Sequence, residues 1–308
     1  MDIVRLFSNR LINTGLLFLV LILLATIPLF IPPYPVISLT SIIMYIIITV
    51  SWAIFSGPTR YISLSSAAFF GIGAYATAIL GEALPLLVAI VGGGVISFIL
   101  ALFIGLLTLR LKGIYFIIFT FGISELIRNV LLWWETKFMG TVGRWVVSVD
   151  HTTVYYIMLG IFVLAVLVAY FIKNSKFGMA LRSIGENEEA AMHIGINVTI
   201  LKTVTFAISA FFMGAAGAIM ATRWTYIDPK MAFNPLFSFM PVLMAIFGGV
   251  GNLFGPVIGA ALFAYLEELL ITKFPYYYML LFGIILIAVI LFLPNGLVGL
   301  IRKRSKGS

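Results

Sequence analysis

Residues 84–109, LPLLVAIVGGGVISFILALFIGLLTL, run for twenty-six positions without a charge. About 20 apolar residues in a helix cross the hydrocarbon core of a bilayer. Inside that core no water satisfies the backbone, so a spanning run folds as a helix that closes its own hydrogen bonds. Comparable apolar segments fall at roughly 14–31, 37–55, 63–81, 114–134, 153–172, 199–222, 236–247, 252–271 and 277–293. The chain is 62% hydrophobic and 10% charged, with a mean hydropathy of +1.17. A soluble globule needs a polar exterior that this composition does not supply. A transmembrane barrel would show alternating segments of about ten residues, and none occurs. The expectation is an all-α integral membrane protein, a helical bundle of about 8–10 transmembrane segments with two of them short or broken.

The two irregular segments are the third, rich in Ser, Gly and Ala, and the eighth, with about a dozen residues. Charge decides whether they cross. If all ten cross from a cytoplasmic N-terminus, thirteen of the nineteen Lys and Arg fall inside and five outside, with Arg128 within a span. That asymmetry follows the positive-inside rule. Turning the third segment back would put Arg110 and Lys112 outside, and turning the eighth back would do the same to the basic tail RKRSK. Ten crossings with both termini cytoplasmic are therefore expected, the eighth gaining length from flanking backbone such as GGVGN. The first segment lacks a small-residue cleavage signal and reads as a retained span. The formal charge of +8 is explained by membrane orientation, not by nucleic acid. Arg302, Lys303, Arg304 and Lys306 are expected to hold the tail to anionic lipid.

Irregular backbone at membrane depth persists where protein or a water-filled cavity covers it. Transporters line pathways with such broken helices; the plainer reading is a shortened helix packed inside the bundle. Gly251, Gly255 and Gly259 recur every four residues, as do Gly214 with Ala218 and Gly217 with Ala221. Such faces let helices approach closely. Glu125 and Arg128 lie within the fifth span, three apart and so on one helix face. A lone charge at mid-bilayer costs on the order of 2.5–3.5 kcal/mol. Two readings stand: a structural ion pair facing the bundle, or a pathway wall meeting both charges of a zwitterion. Glu267 and Glu268 are expected at the outer end of the ninth span, in the interface. Lys137, Arg144, Lys230 and Asp228 read as outer-loop charges. Trp133, Trp134, Trp145 and Tyr276–Tyr278 read as an aromatic belt.

Cysteine is absent, which excludes disulfides and thiolate metal sites. His151 and His193 lie in different polar segments and suggest no metal cluster. No G-x-x-x-x-G-K-[ST] loop occurs, so the chain is not expected to hydrolyse ATP. No catalytic constellation emerges.

One compact polar stretch interrupts the apolar pattern: RSIGENEEAAMHIGIN, residues 182–197. It belongs to the longest predicted cytoplasmic loop, 173–198. Within it ENEEAAMH, 186–193, favours a helix bounded by Gly185 and Gly195, with acids early and histidine late as the helix dipole prefers. It is either a short exposed helix with a task or a soluble turn joining two spans.

Glu189-Ala190-Ala191, followed three residues later by Gly195, resembles the E-A-A-x-x-x-G motif of ABC importer permeases. The stretches YISLSSAAFFGIGAYATAIL, RLKGIYFIIFTFGISELIRNVLL, LKTVTFAISAFFMGAAGAIMA and MAIFGGVGNLFGPVIGAAL extend the resemblance to the LivM-type permeases of branched-chain amino-acid ABC importers. With FGMALRSIGENEEAAMHIGIN and the terminal LFLPNGLVGL it covers most of residues 56–300. Two departures stand out. Members usually carry Gln or His near Ser66, and a longer outer loop where this chain has KFMGTVGRW. The resemblance implies a single transmembrane permease domain over 1–308, with 173–198 carrying a coupling helix that docks into a groove of an ATPase subunit. It implies coupling roles for Glu188, Glu189, Ala190, Ala191 and Gly195, and transport of branched-chain amino acids or related small solutes. The implied partners are two ATP-binding cassette subunits, a second homologous permease and an extracytoplasmic substrate-binding protein. ATP would be bound by the cassettes, leaving this chain without a cofactor. An ion-coupled secondary transporter or channel is the alternative that broken spans and intramembrane charge also suit.

Overall fold

The computed structural model describes residues 22–277, 280–285 and 287. Parts of the first and tenth predicted segments, the basic tail and Tyr278 lie outside the described residues.

Helical residues 22–30 lead into α1, Pro33–Thr59, which carries proline at its first turn, where a missing N–H costs nothing. α1 ends at Arg60, whose left-handed φ of 59° breaks the helix while its N–H still bonds the Ser56 carbonyl. Then come α2 (Ser66–Leu80), α3 (Leu86–Thr108) and α4 (Ile114–Trp134), the last continued by one π-helical turn, Glu135–Met139. α5 spans His151–Asn174. Two short helices follow, α6 (Lys176–Glu186) and α7 (Glu188–His193), before the 27-residue α8, Val198–Trp224. α9 (Pro229–Ala232), α10 (Leu236–Gly248) and α11 (Phe254–Lys273) complete the described bundle. Among the described residues, seven helical stretches are long and apolar enough to cross a membrane, and Ser66–Leu80 is a shorter apolar helix. This is the expected all-α multi-span architecture.

α8 is the axis of the bundle. It packs against α3, α2, α1 and α5, and 83% of its most apolar window is buried, against 17% for α4 at the periphery. Close approach explains the small residues on it. A Cβ on Gly73 would fall on the Gly214 carbonyl, and one on Gly217 would fall on the Phe70 carbonyl. α10 and α11 meet in the same way through Gly248, Gly255 and Gly259, whereas Gly251 faces open space.

Both irregular segments differ in detail from the expectation. α2 starts at Ser66, leaving 60–65 outside any helix. Side chains satisfy this segment instead: Thr120 Oγ1 accepts from the Leu64 N–H at 3.0 Å, and Ser124 Oγ donates to the Leu64 carbonyl at 3.3 Å. Trp52 Nε1 donates to the Ser63 carbonyl at 2.8 Å. The eighth segment gains its length from its N-terminal flank, where α9 and α10 together run over Pro229–Gly248. GGVGN contributes only its first residue, Gly248, because Gly249 takes a φ of +96° and ends the helix. At the end of the bundle opposite α7, two connections pair as a minimal antiparallel ladder, β1 (Arg144–Trp145) with β2 (Tyr226–Ile227).

Candidate functional site

The polar stretch folds into two helices with a sharp joint. Asn187 has an extended backbone, φ −154° and ψ 108°, and its side chain accepts the Ala190 N–H, capping α7. Glu188 and Glu189 occupy the first turn and His193 the last, each on the side the dipole favours. At the other end Gly195 takes a φ of +87°, and the N–H groups of Gly195 and Ile196 bond the Met192 and Ala191 carbonyls. That left-handed position explains the glycine. α6 reaches the end of α1 through Gly185, where a Cβ would strike the Pro58 carbonyl. Leu181, Ile184, Ala191 and Val198 form a small apolar core beneath the two helices.

α7 therefore has two faces. Glu189, Ala190, Met192, His193 and Ile194 are exposed; Glu188 and Ala191 turn inward. Under Glu188 lies a charged node. Its Oε2 accepts from the Tyr61 hydroxyl at 2.6 Å, and its Oε1 pairs with Lys202 Nζ at 2.9 Å. Lys202 is 1% exposed and also donates to the Leu109 carbonyl at 3.0 Å and to the Tyr61 oxygen at 3.2 Å. Its ammonium sits 4.4 Å from the centre of the Tyr61 ring. One ammonium thus ties together α7, the end of α3, the start of α8 and the non-helical segment after α1. Burial alone would raise the Glu188 carboxyl, but the hydrogen bonds from Tyr61 and Lys202 outweigh it and hold the group below its ordinary value. Burial, with the neighbouring carboxylate, pushes the Tyr61 phenol up.

Sequence reasoning placed Glu188, Glu189, Ala190, Ala191 and Gly195 in one helix, and the structure brings them together. It missed Tyr61 and entered Lys202 only as an inside charge. Their separation of 141 residues left no local signal.

Glu125 and Arg128 do pair, at 2.5 Å, with about a quarter of each side chain exposed. They lie on α4 far from α7, beside the exposed Asn129, whose amide donates to the Glu125 carbonyl. Glu267 and Glu268 fall near the end of α11, where Glu268 accepts from the Tyr34 hydroxyl at 3.3 Å. Trp133, Trp134, Trp145, Tyr276 and Tyr277 are exposed. Asp228 caps α9 through the Met231 N–H. Arg144 pairs at 3.6 Å with Glu135, a buried acid that the sequence did not single out; Glu135 also accepts the Gly143 N–H at 2.8 Å.

The family described as "Branched-chain amino acid transport system / permease component" matches residues 34–290. The high-affinity branched-chain amino acid transport system permease protein LivM of Salmonella typhimurium is 26% identical over 87% of this chain and 70% of its own length. Its Escherichia coli K12 counterpart is 25% identical over the same shares. The permease protein LivH of E. coli K12 is 28% identical over 51% of this chain and 53% of its own. No solved structure matches.

Proposed function

The chain belongs to the permease components of branched-chain amino acid transport systems, and on that premise we propose that it is the membrane-spanning subunit of an ATP-driven importer that carries branched-chain amino acids inward. It lies in the cell membrane with both termini and residues 173–198 on the cytoplasmic side. Of two ATP-binding cassette subunits that bind and hydrolyse the ATP, one docks on the exposed face of α7. A second, homologous permease completes the membrane unit, and an extracytoplasmic binding protein delivers the solute. The relatives' names, LivM and LivH, support a pairing of two permeases.

The observation that carries this reading is the division of α7 into an exposed face around Glu189 and Ala190 and an inward carboxylate wired to Lys202. Glu189 and Ala190 offer a partner a close approach. Glu188 passes any displacement of α7 to the start of α8, the end of α3 and the segment before α2, because Lys202 and Tyr61 bond all of them at once. Closure of the cassettes pushes α7, and the node turns that push into a tilt of the axial helix. To drive such a change the cassettes must favour one state by several kcal/mol. The partly exposed Glu125–Arg128 pair belongs to the wall that this chain shares with its companion permease.

The test uses the complex co-purified from membranes. Ala190→Arg should release the cassette subunits while leaving the two permeases together, because residue 190 faces outward. Uptake of leucine into vesicles should require internal ATP and ignore a collapsed ion gradient. Uptake that runs on the gradient alone, without nucleotide, removes the importer reading.

A further inference from the structure

The two irregular helices begin at the same place. Ser238, in the first turn of α10, accepts the Ala67 N–H of the first turn of α2 at 3.1 Å. Ser66 is 1% exposed and Ser238 0%. A helix N-terminus carries roughly half a positive charge. Two such ends in contact within a low-dielectric interior repel each other, and the usual relief is an acid. None is present: among the described residues, hydroxyls and backbone carbonyls contact these two turns, and no carboxylate hydrogen-bonds to either. Asn234 supplies the cap of α10, its Oδ1 accepting the Leu236 N–H at 3.0 Å. Glu125, though next to Ser124 in sequence, turns to Arg128.

The junction also holds spare donors. Among the described residues the Ser66 hydroxyl, fully buried, has no hydrogen-bond partner. Among the described residues the Ser238 hydroxyl accepts from Ala67 and donates to no acceptor. A buried hydroxyl left unpaired is costly. Here two unpaired hydroxyl protons coincide with two positive helix ends. Beside them the rings of Phe70 and Phe237 lie 4.4 Å apart, an apolar wall.

We propose that the junction of the α2 and α10 N-termini is a carboxylate site, in which the Ser66 and Ser238 hydroxyls bond the carboxylate of the transported solute while its aliphatic side chain lies against Phe70 and Phe237. Its identification with the solute rests on the importer reading above. The node under α7 reaches this site directly. Tyr61 stands five residues before Ser66, on the same side-chain-supported segment, so displacement of Glu188 pulls on the strand that enters α2. A helix end that opens and closes on a carboxylate is thereby tied to the face that the cassettes grip.

The test measures the thermal midpoint of the assembled complex in nanodiscs against two probes, 4-methylpentanoate and its neutral isostere 4-methylpentanamide. The carboxylate should raise the midpoint and the amide should not. Ser66→Ala should raise the half-saturating concentration of the carboxylate about tenfold, the loss of one hydrogen bond to a charged group. Ser66→Thr, which keeps the hydroxyl, should restore it. Ser238→Ala serves as a second variant should Ser66→Ala fail to assemble. Equal shifts from both probes, no shift from either, or a carboxylate shift untouched by loss of the hydroxyls overturns the site. ATP-driven leucine uptake is measured in parallel on the unsubstituted complex; its absence removes the importer reading and leaves carboxylate binding standing.

Discussion

Lys202 is a buried ammonium with, among the described residues, a single acidic partner, and this sets what its removal does. Glu188→Gln keeps the bond to Tyr61 but leaves the ammonium uncompensated at 1% exposure. Breaking one side of a buried pair in this way costs about 3–5 kcal/mol. Lys202→Met with Glu188→Gln removes both charges and should recover much of that loss, since an apolar replacement of matching size is often neutral. Thermal unfolding of the purified complex checks the order: Glu188→Gln lowest, the double variant between it and the parent. The double variant should fold and yet couple poorly, hydrolysing ATP with little uptake. The pair also predicts a pH dependence. The Glu188 carboxyl is held below its ordinary value of 4.5 in the folded chain. Its contribution is therefore complete above that value and disappears as pH falls through the lower folded value. As pH falls below 4.5 the parent should lose stability more steeply than the double variant, as read by unfolding midpoints at each pH. Parallel curves would show that the pair contributes nothing.

At the scale of the elements, glycine placement governs how α2, α3 and α8 meet. Ala at Gly217 has no room: its Cβ would fall on the backbone of Phe70, so α2 must move off the axial helix. Overpacking of this kind typically costs 1–3 kcal/mol, about, and more where backbone has to shift. Gly160→Ala meets nothing within 4 Å and should be neutral or slightly stabilising. Side-by-side unfolding midpoints test the contrast. The same helices show what a sequence can and cannot tell. α3 and α5 were legible to within a few residues because hydrophobic length is a local property that lipid reads directly. The repeat of Gly214, Gly217, Ala218 and Ala221 announced a tight contact for the same reason. The start of α2 was not legible. Residues 63–65 look like helix, and they are held out of it by Thr120 and Ser124, some sixty positions away. The capping of α7 by Asn187 was readable as a bounded helix, whereas the inward turn of Glu188 depends on Tyr61 and Lys202, partners that only folding brings near. What was missed in the candidate site is long-range by nature.

Across the whole molecule, exposed surface divides into two kinds. α3 shows only apolar side chains outward, among them Val88, Val95, Ile99, Phe103 and Leu107, as a helix facing acyl chains must. α4 shows Glu125, Arg128 and Asn129 amid Ile118, Leu126 and Val130. Glu125 is the twelfth residue of a 21-residue helix, about 16 Å from its start at 1.5 Å per residue, and so near the middle of a hydrocarbon core about 30 Å thick. Each charge facing lipid at that depth costs on the order of 2.5–3.5 kcal/mol, reduced but not abolished by mutual pairing. α4 also stands apart from the bundle, which leaves Gly122 with open space where a neighbouring helix would fit. The lowest-cost arrangement covers this face with another protein chain. The absence of cysteine makes the test direct. A photoactivatable label on Leu126→Cys should crosslink to the companion permease in native membranes, and the same label on Leu107→Cys should attach to lipid. The crosslink from position 126 should disappear when the proposed companion is not co-expressed. If position 126 yields lipid adducts and position 107 the protein crosslink, α4 is an outer helix and the pair merely neutralises itself within the bilayer.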